Sequence, residues 1–422
     1  MPIIKEHQYL SDKKEEFSHF NPCERNEAYL DGLLLNPHAQ ERDRRYFFTW
    51  DDIKKSYVAS YIIGVQRILG EELVIEPKIE TIDFMKMFSI CLENGIANND
   101  FSKTYGINLD SKPIETNINF SASITPLLIV HFLQLVKEIV AKGLKYDYIQ
   151  KNENIKKVKG KIDIPKHERK NVFLCKYDKV YCKYTERSVN IPENRLLKKT
   201  LLYCQQFIIR LKGNESFKAL YQTVNYCLSY FENVDENIEI WEIRNTKTSS
   251  LYKNYVDAIK VAKSILRHFD YSINNIQKRK EKVPEFWIDM PLLYEHYVLG
   301  LLKRDYGNAI AYQKSGWFGW RPDFLHKKEQ IIMDTKYMPQ LKWNGITGDI
   351  VGQLAGYSRV TSFTHALGVD DETVIPCLIL YPTTSAEAVN FHFDKSKSLI
   401  EQANKTSHMT KFYKLAVPLP KL

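Results

Sequence analysis

RPDFLHKKEQIIMDTK, residues 321–336, decides how the C-terminal part of this chain is read. Ile331-Ile332-Met333-Asp334-Thr335-Lys336 reads as a strand, and Asp334 and Lys336, two apart, fall on one face of it. With Lys328-Glu329 as the tip of a hairpin, positions equally far from the tip face each other, which sets Asp323 opposite Asp334. Two carboxylates would then meet on one side of a sheet beside an ammonium, an arrangement that is costly to leave without a cation. Mg²⁺ takes such oxygens and fills its octahedron with waters and phosphate oxygens. It also lowers the pKa of a bound water and neutralises charge on a phosphorane-like transition state. Asp323 and Asp334 are therefore candidate metal carboxylates. Lys336 would position or deprotonate an attacking water, or stabilise developing charge, and the spacing does not choose among these. The plainer reading is a surface hairpin with an ordinary Asp–Lys pair; Pro322-Asp323 and the apolar run Ile331–Met333 stand against it.

The flanks extend the pattern. Asp289 to Gly307 predicts a helix with an Asp cap, an early proline and a glycine stop, and Glu295 lies within it. Ala309 to Gln313 is a short strand, followed by a Trp317–Trp320 corner and the hairpin. Asp349 to Val360 predicts a second helix, and Val374 to Tyr381 a buried strand ending at Pro382. This order of helix, three strands, helix and strand resembles the core of the PD-(D/E)xK nuclease superfamily. There, an Asp and a D-x-K sit on adjacent strands of a mixed sheet. Gln353 and Tyr357, four apart on one helix face, resemble the Q-x-x-x-Y element of several DNA-processing branches.

Bulk properties limit the function class. A chain of 422 residues, 44% hydrophobic and 26% charged, is expected to be a soluble α+β protein of more than one domain. MPIIKEHQYLSDKKEE has no apolar run behind its charges, so a secretory signal is not expected and the location is read as cytoplasmic. Ile124 to Leu144 carries His131, Gln134, Lys137, Glu138 and Lys142 and is expected as a core helix, with no membrane span. Seven cysteines show no C-x-x-C pair, so buried thiols are the plain reading. His131 is expected as a core or surface side chain.

The net charge of +9 is concentrated. Lys142 to Lys183 holds thirteen Lys or Arg against five Asp or Glu, with Tyr146, Tyr148, Tyr177 and Tyr181 interleaved. That composition suits a nucleic-acid backbone, a solvated lysine-rich face or an acidic protein partner, and these stay open. No G-x-x-x-x-G-K-[ST] loop occurs, so any nucleotide hydrolysis would fall to another polypeptide.

Along the rest of the chain, the first fifty residues read as polar and irregular. Asp51–Leu69 predicts a helix or helix–strand unit, Glu72–Lys78 a strand, Ile82–Gly95 a helix and Ile96–Asn119 loops. Thr125–Lys142 and Pro192–Gly213 predict helices, with a strand-rich basic stretch between them. The charged run Gln277–Lys282 is the expected boundary between residues 1–275, a mixed α/β region, and residues 276–422, the nuclease core.

A series of short motifs sharpens the resemblance: Val74–Ile79, Gly143–Tyr148, Val158–Ile162, Val180–Tyr184, Pro192–Leu197 and Leu293–Glu295, in that order. The series resembles McrC, the endonuclease subunit of McrBC-type modification-dependent restriction systems, from about Val74 to Pro382. The resemblance implies an Mg²⁺-dependent endonuclease acting on double-stranded DNA with modified bases, in antiviral defence. It also implies an McrB-like AAA+ GTPase ring, with residues 1–275 docking on that partner and forming a candidate DNA-contacting region. Carried over, Asp323, Asp334 and Lys336 would be catalytic. Glu295 would complete the metal shell through water, Gln353 and Tyr357 would orient the cleaved strand, and Arg321 would contact a phosphate or make a salt bridge. Two other readings are a regulatory subunit that mainly stimulates the motor, and a standalone repair-type nuclease.

Overall fold

In the computed structural model of the chain, residues 3–13, 46–68, 71–79, 81–93, 102–116, 121–210, 218–243, 253–274, 281–342, 346–383, 391–406 and 409–421 are described. The chain divides into two compact units, one of residues 1–127 with 276–422 and one of residues 128–275.

In chain order the first unit begins with strands β1 (Ile3–Lys5), β2 (Phe48–Asp51), β3 (Ser56–Ala59), β4 (Ile62–Ile68) and β5 (Glu71–Glu76). Helix α1 (Phe84–Glu93) and strands β6 (Tyr105–Asn108) and β7 (Ile114–Thr116) follow. The second unit contains most of α2 (Ser121–Lys142), then β8 (Asp147–Ile155), β9 (Lys161–Ile162), β10 (Val180–Ser188), α3 (Pro192–Arg210), α4 (Lys218–Ser229) and α5 (Lys253–Asn274). The first unit resumes with β11 (Glu281–Val283), β12 (Glu285–Asp289), α6 (Met290–Tyr306), β13 (Ile310–Tyr312), β14 (Phe324–His326) and β15 (Ile331–Thr335). It ends with α7 (Gly348–Tyr357), α8 (Thr361–Leu367), β16 (Cys377–Thr383), β17 (Asn404–Lys405) and β18 (Phe412–Pro418).

The expected division into residues 1–275 and 276–422 is corrected at its N-terminal side. β12 lies between β4 and β6 in a five-stranded sheet ordered β1-β5-β4-β12-β6, with Trp287 opposite Gly64 and Ile288 opposite Tyr105. A strand that follows residue 275 thus completes a sheet begun at residue 3. Arg67 closes the seam, its guanidinium donating to Glu285 (2.9 Å) and Glu72 (2.7 Å). The helix expected within Asp51–Leu69 is instead extended chain. Its β-branched and aromatic residues pack as Tyr57, Ile62 and Ile68 in a buried cluster with Ile4, Phe48, Leu73 and Ile75. Within Ile96–Asn119, read as loop, β6 and β7 form; residues 94–101 and 117–120 lie outside the described residues.

The second sheet of this unit is ordered β13-β14-β15-β16-β18-β17. Its first three strands are antiparallel, whereas β15, β16 and β18 run parallel. One face is covered by α7 and α8, where Ile332, Ile350, Leu354, Tyr357, Phe363 and Ile379 share a buried core. Two features depart from expectation. β16 runs through Pro382 to Thr383, because its partner β18 continues alongside it to Pro418. The helical stretch to Val360 breaks after Tyr357 and restarts as α8.

Helix α6 starts where its chemistry dictates. Asp289 caps it by accepting from the Leu292 amide (3.0 Å), and Pro291 occupies the first turn. Gly307 ends it with a positive φ of 56°, a conformation a side chain would resist. At the end of β1, Glu6 is 2% exposed. Its Oε1 accepts from the Lys78 amide (2.8 Å) and the Tyr337 hydroxyl (3.0 Å), while Oε2 has no hydrogen-bond partner among the described residues. Burial pushes this carboxyl up to about 7.

In the second unit, β10 pairs along its length with β8, and α3 packs on α4 and α5. Asn194, fully buried, donates to the carbonyls of Lys145 (2.8 Å) and Val189 (2.7 Å) and accepts from Tyr255 (2.9 Å). Lys145 meets Glu193 at 2.7 Å. The Gly143–Tyr148 and Pro192–Leu197 motifs are therefore two halves of one structural joint. No described helix is long and apolar enough to cross a membrane.

Candidate active site

The hairpin register is the one the turn position implies. Phe324 faces Met333, Leu325 faces Ile332 and His326 faces Ile331, so one further step brings Asp323 to Asp334. At that step side chain replaces backbone pairing. Asp323 Oδ2 accepts from both the Thr335 amide and the Thr335 hydroxyl at 2.6 Å each, and the Asp323 carbonyl accepts from the Gln313 amide at 2.8 Å. Both Thr335 bonds fall on one carboxylate oxygen, leaving Oδ1 for another partner.

Asp334 is 2% exposed, and its Oδ2 pairs with the Lys336 ammonium. Ile332, Asp334 and Lys336 share the strand face turned to α7. Ile332 enters the apolar core there, and Lys336, one register further, donates from Nζ to Gln353 Oε1 at 3.0 Å. Gln353 Nε2 in turn donates to the Tyr357 hydroxyl at 2.8 Å. The expected i, i+4 pair thus forms the end of a relay from Asp334 through Lys336. Glu295 approaches from α6, and its Oε1 accepts from Gln313 Nε2 at 2.7 Å.

The electrostatics follow from crowding. Burial raises the Asp323 carboxyl well above its usual range, and the negative charges of Asp334 and Glu295 add to the rise, against the two Thr335 bonds. Burial also raises Asp334, opposed by Lys336. Glu295 is raised by burial, opposed by hydrogen bonds from Gln313 and Tyr312, with Asp334 and Asp289 adding to the rise. Three carboxyls feel one another here, and a cation would relieve all three.

Among the described residues, no three His, Cys, Asp or Glu side chains converge as a closed metal cage. The donor set therefore does not suit a tetrahedral structural metal. It fits an ion that takes one or two carboxylates and completes its shell with water and phosphate. Asp323 Oδ1 and the Asp334 carboxylate are the oxygens that could hold such an ion.

Arg321 is exposed and joins no ion pair among the described residues, so it stands apart from the relay. Sequence reasoning missed Thr335, Gln313 and Trp320. Thr335 is the central residue of D-x-K and carried no signal of its own. In the sequence Gln313 reads only as the end of a strand. Trp320 lies edge-on to Tyr357, ring centroids 5.7 Å apart.

The basic stretch of the second unit is wired internally. Lys151 pairs with Glu186 (2.6 Å) and Lys183 with Asp163 (3.1 Å). Arg187 lies over the Tyr146 ring (3.3 Å) and Lys159 over Tyr184 (4.3 Å). Of the interleaved tyrosines, Tyr146 and Tyr181 serve as cation–π partners, Tyr181 to Lys166 and Lys170. Phe173 and Tyr177 remain 80% and 75% exposed. His131 is half-buried, and desolvation holds its imidazole down to about 4. Among the six described cysteines only Cys175 is exposed.

A solved half-complex from a tetradecameric assembly of Thermococcus gammatolerans McrB AAA+ hexamers with bound McrC is 15% identical, covering 100% of this chain and 95% of that chain, with a TM-score of 0.37. A cryo-EM structure of the Thermococcus gammatolerans McrBC complex is 14% identical, covering 72% and 87%, with a TM-score of 0.31. No curated protein matches the chain. The model of the McrBC 5-methylcytosine restriction system component family matches residues 59–347, a span that takes in every candidate site residue except Gln353 and Tyr357. By that match, which covers most of its length, the chain belongs to the McrBC 5-methylcytosine restriction system component family.

Proposed function

We propose that this chain is the DNA-cutting subunit of its restriction system: an Mg²⁺-dependent endonuclease of PD-(D/E)xK type acting on DNA with modified bases. The observation that carries this reading is the meeting of Asp323 and Asp334 across one hairpin, with Lys336 on the same strand face held by Gln353. Bound by the two carboxylates, Mg²⁺ would supply Lewis-acid activation of water and neutralise charge on the phosphate.

The chain's own residues do the positioning. Thr335 fixes Asp323 from backbone and side chain at once, so the carboxylate cannot rotate away. Gln353 holds the Lys336 ammonium at the mouth of the site, where it meets the phosphate or the attacking water. Tyr357 in turn fixes the Gln353 amide, so its carbonyl faces the lysine. Gln313 keeps Glu295 within electrostatic reach of Asp334.

The division of labour is part of the proposal. The chain has no phosphate-binding loop, so a separate McrB-like AAA+ GTPase ring would recognise and move the DNA. The Thermococcus McrC bound to McrB hexamers is the corresponding assembly in a related system. Asp334→Asn in the reconstituted pair tests the reading. Cleavage of methylated plasmid should collapse while stimulation of the partner GTPase survives. Undiminished cleavage would remove Asp334 from the chemistry, and loss of stimulation in a folded variant would favour a regulatory role for this site.

A further inference from the structure

We propose that the loop Lys314–Arg321 grips the DNA, with Trp317 stacking on a nucleobase of the cut strand. The inference rests on the nuclease reading and names a contact that reading leaves open. Both ends of the loop are built into the site. Gln313, just before it, holds Glu295 (2.7 Å) and donates its amide to the Asp323 carbonyl (2.8 Å); Asp323 follows two residues after it.

The loop is seated on the helices behind the site. Gly316 donates to the Trp320 carbonyl at 2.8 Å, closing the turn. Trp320 lies over Gly356 on α7, where an added Cβ would fall 2.0 Å from the ring, and edge-on to Tyr357. Gly316 sits as closely on Phe363 of α8, where a Cβ would fall 2.4 Å away. Trp320 is therefore a floor that touches the relay Tyr357–Gln353–Lys336 at its far end.

Above this floor Trp317 is 67% exposed and Trp320 39%. Lys314 and Arg321 flank them, both exposed, and no Asp or Glu occurs from residue 314 to 322. Two cations with no carboxylate suit a phosphate backbone. An exposed indole between them suits the face of a base, since every base offers one, and such stacking tolerates any sequence. A protein partner is the other occupant of an exposed tryptophan, but an acid-free rim joined to a candidate phosphodiester site favours nucleic acid.

The test uses the full chain with its motor, Ca²⁺ in place of Mg²⁺, and a fluorescein-labelled methylated duplex carrying 2-aminopurine at successive positions. Trp317→Ala should weaken binding by about 5- to 150-fold, the range for one lost base–aromatic stack, and abolish 2-aminopurine quenching at one position. Trp317→Phe should restore most of both. Under Mg²⁺ the alanine variant should raise KM more than it lowers kcat. Wild-type affinity and quenching in Trp317→Ala would overturn the proposal. So would loss of motor association with DNA affinity unchanged, or absence of DNA binding by the wild-type assembly. Asp334→Asn separates the two readings. It should abolish cutting and keep binding, and cutting by Asp334→Asn would refute the nuclease site without touching the stacking result.

Discussion

Replacing Glu6 by Gln should make the protein's thermal stability less dependent on pH. The Glu6 carboxyl is 2% exposed, and its Oε2 has no hydrogen-bond partner among the described residues. Burial lifts it from an ordinary 4.5 to about 7. A carboxyl whose folded pKa is raised stabilises the fold while protonated. That contribution is complete below 4.5 and is lost as the pH climbs to about 7. At 1.36 kcal/mol per pKa unit the loss is about 3 kcal/mol. A glutamine keeps Oε1 as acceptor for the Tyr337 hydroxyl and the Lys78 amide and never ionises. Calorimetry of both proteins at pH 5 and pH 8 isolates the effect, since Asp83 and Glu329, also raised by burial, change alike in each. Between these two pH values about 2.5 kcal/mol of that contribution is lost, so the melting temperature of the wild type should fall relative to the variant by roughly 3–4 °C. An unchanged difference would show that the buried carboxylate does not carry this cost.

Three further perturbations probe the site. Thr335→Val removes one of the two donors on Asp323 Oδ2 but keeps the amide; a bond to a charged group is worth about 1.5–3 kcal/mol, so cleavage should slow by roughly tenfold or more and melting should fall by about 2–5 °C. Gly356→Ala places a Cβ 2.0 Å from the Trp320 ring and should cost about 1–3 kcal/mol as the ring is forced aside, measurable by urea unfolding. Gln353→Ala leaves Lys336 without its carbonyl partner and Tyr357 without its donor, and DNA cleavage should fall while stimulation of the GTPase is retained.

The parts of the fold legible in sequence are those whose signals are local. Asp289, Pro291 and Gly307 mark both ends of α6, because a cap, a ring and a positive φ act within one turn. The Asp323–Asp334 register follows from the tip of a short hairpin, and Gln353 meets Tyr357 because the i, i+4 spacing is geometric. The missed elements depend on distant partners. β4 is a strand because β5 and β12 flank it, and nothing within Ile62–Ile68 announces a neighbour beyond residue 280. β18 (FYKLAVP) lacks a clean alternation because it is held by β16 on one side and β17 on the other. At the site, Thr335 acts through a backbone amide as well as its hydroxyl, and backbone donors leave no trace in residue type.

The place of β12 in the first sheet sets a delay on the ribosome. Arg67 and Glu285 are partners 218 residues apart, so β4 emerges long before the strand that fills its open side. At about 5–20 residues per second, that side stays bare for roughly 10–45 s while the second unit is made. Ile62–Ile68 is a short apolar strand with unpaired amides and carbonyls through that interval, the kind of edge that invites wrong pairing. Chaperone dependence, and aggregation on rapid overexpression, should therefore trace to the N-terminal strands and ease when translation is slowed or the culture cooled.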